Sequence, residues 1–202
     1  LFRSIVGAYL LSVALAGGTT ETVIPFLGSV DLGFFYYILA AVFIVGMVNA
    51  VNFTDGIDGL NTSVTLVVAL VFSVIAMLLN RVGLSLYAAA IVGAMIGFLF
   101  WNANPAKVFM GDTGSLALGG AMAAVGILTH TEILLAIIGI VFVCEALSVI
   151  IQVISFKTTG KRVFRMSPIH HHFELGGWSE WKVVFVFWTV GIVASVIALG
   201  ML

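Results

Sequence analysis

The sequence predicts an all-α, polytopic transmembrane helix bundle, and three observations support this fold class. The chain of 202 residues is 62% hydrophobic and only 8% charged, whereas soluble domains carry roughly 25% charged residues. Its mean hydropathy is +1.25. Its apolar runs are about as long as a helix must be to cross the ~30 Å hydrocarbon core of a bilayer. We therefore expect a single integral membrane domain over residues 1–202.

Seven apolar runs are predicted to cross the membrane. In chain order they are Ser4–Ala16, Phe34–Val51, Thr62–Leu79, Leu84–Trp101, Leu116–Leu128, Ile133–Ser155 and Val183–Leu199. Polar or glycine-rich segments separate them, and Gly17–Asp31 is predicted to be a loop. The chain opens inside an apolar run without a methionine, so we expect further sequence upstream.

The distribution of basic residues predicts which ends of the spans face the cytoplasm. With seven crossings, the chain start and the segments 52–61, 102–115 and 157–182 fall on one side. That side holds seven of the eight Lys and Arg residues, namely Arg3, Lys107, Lys157, Lys161, Arg162, Arg165 and Lys182. The positive-inside rule makes this side cytoplasmic. The three polar segments are thus predicted to meet at one site on the cytoplasmic face of the membrane.

The net charge and the single cysteine favour neither a nucleic-acid-binding protein nor a disulfide-rich protein. A net charge of −1 gives no reason to expect a nucleic-acid partner. One cysteine, Cys144, lies in an apolar run, so no disulfide framework is expected and the residue is best explained by packing.

The segment Phe100–Gly120 contains the strongest candidate site residue, Asp112. Two asparagines, a proline, a lysine and four glycines lie between two apolar runs here. Gly111 lets the backbone approach a ligand closely. Lys107 can hold a phosphate as a point charge or serve as one more cytoplasmic anchor. Phe109 can stack on a flat ring or lie at the membrane interface as an anchoring aromatic.

A helix is predicted to begin at Leu116, with Thr113 or Ser115 as its cap. The start of a helix binds phosphate through its free N–H groups. A carboxylate beside such a site, here Asp112, favours a divalent cation, and hard oxygen ligands favour Mg²⁺. The alternative is that Asp112 only caps its own helix.

The segment Asn52–Asn61 carries a second candidate cluster. Asp55 and Asp58 are three residues apart and would share a face of a helix. Two carboxylates at a membrane edge repel each other unless a cation or a ligand donor separates them. The alternative is a solvated loop in which Asn61 caps the next helix.

The third polar cluster is Ser167–Trp178, with three successive histidines at 170–172. Histidines can bind phosphates when protonated, relay protons or ligate a metal. Zinc is disfavoured because its protein ligands are normally spaced apart. Histidines without a role on the surface remain the alternative.

Glu145 and Gln152 lie inside the predicted span Ile133–Ser155. A charge at the centre of a membrane helix costs roughly 2.5–3.5 kcal/mol and usually faces the bundle interior or a water-filled cavity. The two residues are seven apart, so they share a face and can line one groove. A structural hydrogen bond between helices explains them equally well.

Taken together, these motifs resemble the polyprenyl-phosphate N-acetylhexosamine-1-phosphate transferases. The resemblance rests on Asn49–Leu60, on Pro105–Gly120, and on Pro168–Leu175 with Gly177 and Trp178 after it, and it extends in order along essentially the whole chain. Members of this family have about ten membrane helices and an adjacent pair of aspartates in an earlier cytoplasmic loop. This sequence contains no such pair, so the chain is expected to correspond to the last seven helices.

The resemblance implies a magnesium-dependent phosphoglycosyl transferase of the bacterial cytoplasmic membrane, with its active site on the cytoplasmic face. Its histidine segment is similar to the branch that joins undecaprenyl phosphate to the phospho-sugar of UDP-N-acetylmuramoyl-pentapeptide and releases UMP, the first lipid step of peptidoglycan synthesis. A homodimer is also implied. Two rival functions remain, a sister transferase that uses UDP-N-acetylglucosamine and a secondary transporter with intramembrane charges.

The resemblance also implies roles for individual residues. Asp112 is expected to hold Mg²⁺ against the diphosphate. The candidate catalytic residues are Asp112, Asp55, His170, His171 and His172. The candidate substrate-binding residues are Asn52, Asp58, Asn102, Lys107, Phe109, Gly111 and Gln152. Among these, Phe109 is expected to stack on uracil and Asp58 to hydrogen-bond it. Whether an aspartate forms a covalent intermediate or deprotonates the lipid phosphate stays open.

Overall fold

The computed structural model describes residues 19–202, and within them the chain is a helix bundle with one small β-hairpin. The hairpin pairs β1 (Glu21–Ile24) with β2 (Gly28–Asp31) in antiparallel register. The helices in chain order are α1 (Phe34–Thr54), α2 (Leu60–Leu78), α3 (Val82–Asn102), α4 (Gly111–Leu128), α5 (Glu132–Ile138), α6 (Ile140–Thr159), α7 (Ile169–Glu174) and α8 (Glu180–Leu199). The predicted first span, Ser4–Ala16, lies outside the described residues.

Six of the described helices are long and apolar enough to cross a membrane, namely α1, α2, α3, α4, α6 and α8. They match the six predicted spans that fall within the described residues. Many large apolar side chains on the outside of the bundle are exposed, as expected for surfaces that face lipid rather than water. The prediction of an all-α integral membrane protein is confirmed.

The predicted loop Gly17–Asp31 contains the β-hairpin, so the loop prediction was wrong for this part of the chain. The strands carry β-branched residues such as Thr22 and Val30, which favour extended backbone. Asp31 ends the hairpin by accepting hydrogen bonds from the Thr20 hydroxyl and the Gly33 N–H. These two hydrogen bonds hold the pKa of Asp31 below its usual value, and the bond from Thr20 has the larger effect.

The sixth predicted span, Ile133–Ser155, is not one continuous helix. The chain breaks at Gly139, which ends α5 and precedes α6 with φ −88° and ψ 29°. A Cβ at this position would lie 3.0 Å from the carbonyl oxygen of Leu135 and 3.3 Å from the Phe142 ring. A run of apolar residues carries no signal for such a break, because both halves are equally apolar.

Helix α2 is the centre of the bundle. Its buried residues Leu60, Val64, Val68 and Phe72 recur every fourth position, which places them along one ridge of the helix. The helix packs on α3 and α8, while α1 packs on α4 and α6. This arrangement brings the ends of α1 and α3 close to the starts of α4 and α8, at one end of the bundle.

A buried carboxylate joins the hairpin to the bundle at the end opposite the start of α8. Glu132, at the start of α5, is 1% exposed. Its Oε2 accepts a hydrogen bond of 2.7 Å from the Thr22 hydroxyl, and its Oε1 accepts one of 2.6 Å from the Tyr36 hydroxyl. The β1 N–H of Val23 donates to the carbonyl of His130 at 2.8 Å. Three separate elements are therefore held through one carboxylate.

Replacing Tyr36 with phenylalanine is expected to lower the free energy of unfolding by about 1–3 kcal/mol, because Glu132 keeps its burial but loses a donor. The measurement is thermal unfolding of the purified full-length protein in detergent. Tyr37→Phe is the matched control, since it removes a hydroxyl from the adjacent, only partly buried tyrosine. Equal melting temperatures for the two variants would contradict this role for Glu132.

Candidate functional site

Helices α1 and α4 place Asn52 and Asp112 side by side. The Asn52 side-chain amide donates to Asp112 Oδ1 at 3.1 Å and to Ser115 Oγ at 2.9 Å. Helix α4 begins at Gly111, whose φ of +66° suits a glycine. Since α4 starts five residues before Leu116, the predicted capping by Thr113 or Ser115 was wrong. Ser115 instead lies in the first turns and donates to the Gly111 carbonyl at 3.1 Å.

Asp55 follows the last residue of α1 and lies half-buried near Asp112. Burial is the main reason that its pKa is raised above the usual value, and the charge of Asp112 raises it further. Hydrogen bonds from the Asn61 amide and the Gly111 N–H act in the opposite direction. A cation bound between Asp55 and Asp112 would relieve the repulsion that the charge of Asp112 exerts on Asp55.

Asp58 connects the α1–α2 loop to the α3–α4 loop. Its Oδ2 accepts hydrogen bonds from the Ala106 N–H at 2.8 Å and from the Asn104 amide at 3.3 Å. Asn104 also donates to Glu180 at 2.7 Å. The loop that carries Phe109 is thereby attached to the first residue of α8 as well as to Asp58.

Asn102 is buried at the end of α3 and supports the α3–α4 loop through hydrogen bonds. Its side-chain oxygen accepts a hydrogen bond of 2.6 Å from the Thr62 hydroxyl, and its amide donates to the Val108 carbonyl at 3.0 Å. Asn61 does not cap α2, because that helix begins at Leu60 after Gly59. The Asn61 amide is directed instead at Asp55, at 3.4 Å.

These contacts surround a cavity of about 230 Å³ at the end of the bundle. Seven of the predicted site residues line it, namely Asn52, Asp55, Asp58, Asn102, Phe109, Gly111 and Asp112. Phe109 lies at its edge with 73% of its surface exposed. The predicted meeting of the first two polar segments is therefore present in the structure.

The histidine segment reaches the same region through His170, on the short helix α7. His170 is fully buried, and its Nδ1 lies 3.1 Å from Glu145 Oε1 on α6. His171 and His172 are partly exposed and have other partners. His171 Nδ1 lies 2.6 Å from Glu174 Oε2, and His172 Nδ1 accepts from the Arg165 N–H at 3.1 Å.

Two predicted substrate-binding residues lie outside the cavity. The Lys107 ammonium is 5.5 Å from the centre of the Trp101 ring, and its side chain does not line the cavity. Gln152 binds the backbone of the 157–182 segment, accepting from the N–H groups of Val163 and Phe164 and donating to the Phe164 carbonyl. It lines a separate groove of about 430 Å³ with Lys157 and Arg162.

Several residues that contact the predicted site were missed as members of it, among them Asn61, Ser115 and Asn104. Asn61 and Ser115 bond directly to candidate residues, and Asn104 bonds to Asp58. Each lies inside one of the polar segments, and that position was consistent with membership of the site. However, an amide or hydroxyl in a loop is explained equally well by a cap or a turn. Only the packing of the loops identifies their partners.

The chain matches the family described as Glycosyl transferase family 4 over residues 1–130. Among curated proteins it is similar to a phospho-N-acetylmuramoyl-pentapeptide-transferase of Halalkalibacterium halodurans, with 55% identity over 95% of this chain and 59% of that protein. It is similar to proteins of the same name from Bacillus mycoides and Bacillus thuringiensis, each with 59% identity over 84% of this chain and 52% of the relative.

These relatives are longer than the chain described here, which spans between 52% and 59% of their length. The family match covers well over half of the chain, including the α1–α2 loop, the α3–α4 loop and the start of α4. The chain is a member of glycosyl transferase family 4.

Proposed function

We propose that the full-length protein transfers phospho-N-acetylmuramoyl-pentapeptide from its UDP donor to undecaprenyl phosphate. An oxygen of the lipid phosphate attacks the phosphorus next to the sugar, a new P–O bond forms, and the bond to UMP breaks. The observation that carries the proposal is the cavity in which Asp55, Asp58 and Asp112 meet at one end of a membrane helix bundle. The names of the similar relatives support the choice of reaction.

The carboxylates fit a magnesium site. Asp112 is exposed at the start of α4 and interacts with the half-buried Asp55, and hard oxygen ligands of this kind suit Mg²⁺. Asp112 would hold the ion, with Asp55 next to it. When bound, Mg²⁺ would neutralise charge on the diphosphate, and phosphoryl transfer depends mainly on such electrostatic stabilisation and on positioning.

The remaining cavity residues suit a uridine nucleotide. Phe109 presents an exposed ring at the edge, on which a flat base can stack. Asp58 is held by the Ala106 N–H and offers carboxylate oxygen to the N–H of a uracil ring. The N-terminus of α4, beginning at Gly111, provides free N–H groups for phosphate oxygens. Within the triplet, His171 and His172 are partly exposed and therefore have surface available to a phosphate.

The position of the cavity at the end of the bundle suits a donor from water and an acceptor from the bilayer. The excess of basic residues on this side supports a cytoplasmic location for it. The proposal includes a homodimer in the membrane, and its only support is the resemblance to the transferase family.

The test is UMP release by the full-length protein in detergent with undecaprenyl phosphate and Mg²⁺. UDP-N-acetylmuramoyl-pentapeptide should be consumed, and UDP-N-acetylglucosamine should not. Turnover of the second donor with failure of the first would support the sister transferase instead. Solute uptake by vesicles without any UMP release would support the transporter, against which the clustering of Asp55, Asp58 and Asp112 at one end of the bundle argues.

A further inference from the structure

Glu145 and His170 form a fully buried polar pair between α6 and α7. Both side chains are 0% exposed. Their 3.1 Å contact is at ion-pair distance but is not aligned as a hydrogen bond, and no described atom hydrogen-bonds to the Glu145 carboxylate or to the His170 ring nitrogens. Burying a carboxylate without full hydrogen bonding is unfavourable, so this pair requires an explanation other than stability.

The other side of the His170 ring is pressed against the loop that carries the cavity carboxylates. A Cβ added at Gly56 would lie 2.2 Å from His170 Nε2 and 2.6 Å from Cε1. Gly56 directly follows Asp55 and lies two residues before Asp58. The ring therefore fills the space between Glu145 and the backbone that positions both carboxylates.

The surroundings of His170 distinguish it from its neighbours in the triplet. One nitrogen faces Glu145 and the other faces the backbone of Gly56, which lines the cavity, whereas His170 itself does not line it. His170, His171 and Glu174 have potential ligand atoms within 4.8 Å of one another, but a metal there would need a nitrogen of His170 that already faces protein. His171 and His172 are both partly exposed.

We infer that Glu145 and His170 are positioning residues, which together hold the 55–59 loop in the shape that binds the uridine part of the donor. The Glu145 carboxylate lies 3.1 Å from Nδ1 and holds that edge of the imidazole towards α6, while the Nε2 edge of the ring supports Gly56. This inference rests on the proposed function. In this role His170 acts by holding the 55–59 loop and does not itself touch a phosphate of the donor.

The experiment measures binding of uridine and of UMP to the full-length protein by calorimetry, without lipid acceptor. Uridine has no phosphate, so it reports the shape of the loop alone. Glu145→Gln and His170→Asn should each weaken uridine binding by about tenfold or more, since small displacements of positioned groups have effects of this size. Ser148→Ala is the control, because that buried hydroxyl on α6 donates only to the Glu145 carbonyl of its own helix. It should bind uridine normally.

A size exchange tests the contact with Gly56 directly. Gly56→Ala alone should weaken uridine binding, because its methyl group collides with the His170 ring. In a His170→Ala background the ring is gone, and the same Gly56→Ala change should weaken uridine binding by less than about twofold. Such non-additivity is the mark of two groups in contact, and a general loss of stability would not produce it.

The results separate the inference from the proposed function. If the folded wild-type protein binds neither uridine nor UMP, the proposed function fails. If it binds both, and Glu145→Gln or His170→Asn weakens only UMP, His170 acts at the phosphate and the positioning role is overturned. Unchanged uridine affinity in both variants, or additive losses for Gly56→Ala and His170→Ala, would overturn it as well.

Discussion

Asp112→Asn is expected to reduce UMP release by the full-length protein by about a thousandfold or more. Asparagine keeps the shape of the side chain and an oxygen that can accept from Asn52, so the local geometry should persist. What is lost is the negative charge that would hold Mg²⁺ against the diphosphate. A metal contributes several kcal/mol to charge stabilisation in the transition state, and each 1.36 kcal/mol corresponds to a factor of ten in rate.

The measurement is UMP release at saturating donor over a range of Mg²⁺ concentrations. Thr113→Ala is the control, because Thr113 is the next residue on α4 and is also exposed. It should retain turnover within a few-fold. Insertion and thermal unfolding should be the same for both variants. If Asp112→Asn kept its turnover and its dependence on Mg²⁺, the metal assignment would be wrong.

Gly119→Ala is expected to destabilise the protein by about 1–3 kcal/mol or more, the usual range for overpacking. A Cβ on Gly119 would lie 2.6 Å from the Val48 Cα and 3.0 Å from the Met47 carbonyl oxygen. These are backbone atoms of α1, so no side-chain rotation relieves the collision. Helices α1 and α4 would have to move apart, and the contact between Asn52 and Asp112 would lengthen.

Thermal unfolding and UMP release together test this prediction, since both should fall. Gly120→Ala supplies a matched control on the same helix, where an added Cβ meets nothing within 4 Å. That change should leave stability unaltered or slightly improved, because alanine favours a helix over glycine. If the two variants behave alike, the close approach of α1 and α4 is not needed for the fold.

The membrane spans were predictable because each one satisfies its backbone within itself. In lipid, a long apolar run must close its own hydrogen bonds, so its length and composition are enough to indicate a helix. The spans at α1, α2, α3, α4 and α8 were found in this way. The break at Gly139 was not, because it depends on how α5 and α6 pack rather than on hydropathy.

The candidate site was predictable in composition and less so in arrangement. Seven predicted residues line one cavity, because polar side chains in so apolar a chain have few places other than a site. Lys107 and Gln152 lie elsewhere, since a long side chain can reach several partners and the sequence does not select among them. The sequence also did not predict that Glu145 contacts His170, because His170 is 25 residues away and on another helix.

By itself, the sequence determined that the chain is a membrane helix bundle and that its polar segments fall on one side. Both follow from local quantities, namely hydropathy, segment length and charge. Only the tertiary structure decided which polar atoms meet, including Asn52 with Asp112 and His170 with Gly56. Those contacts require helices that are far apart in the chain to be positioned to within a few tenths of an ångström, and close packing sets their positions.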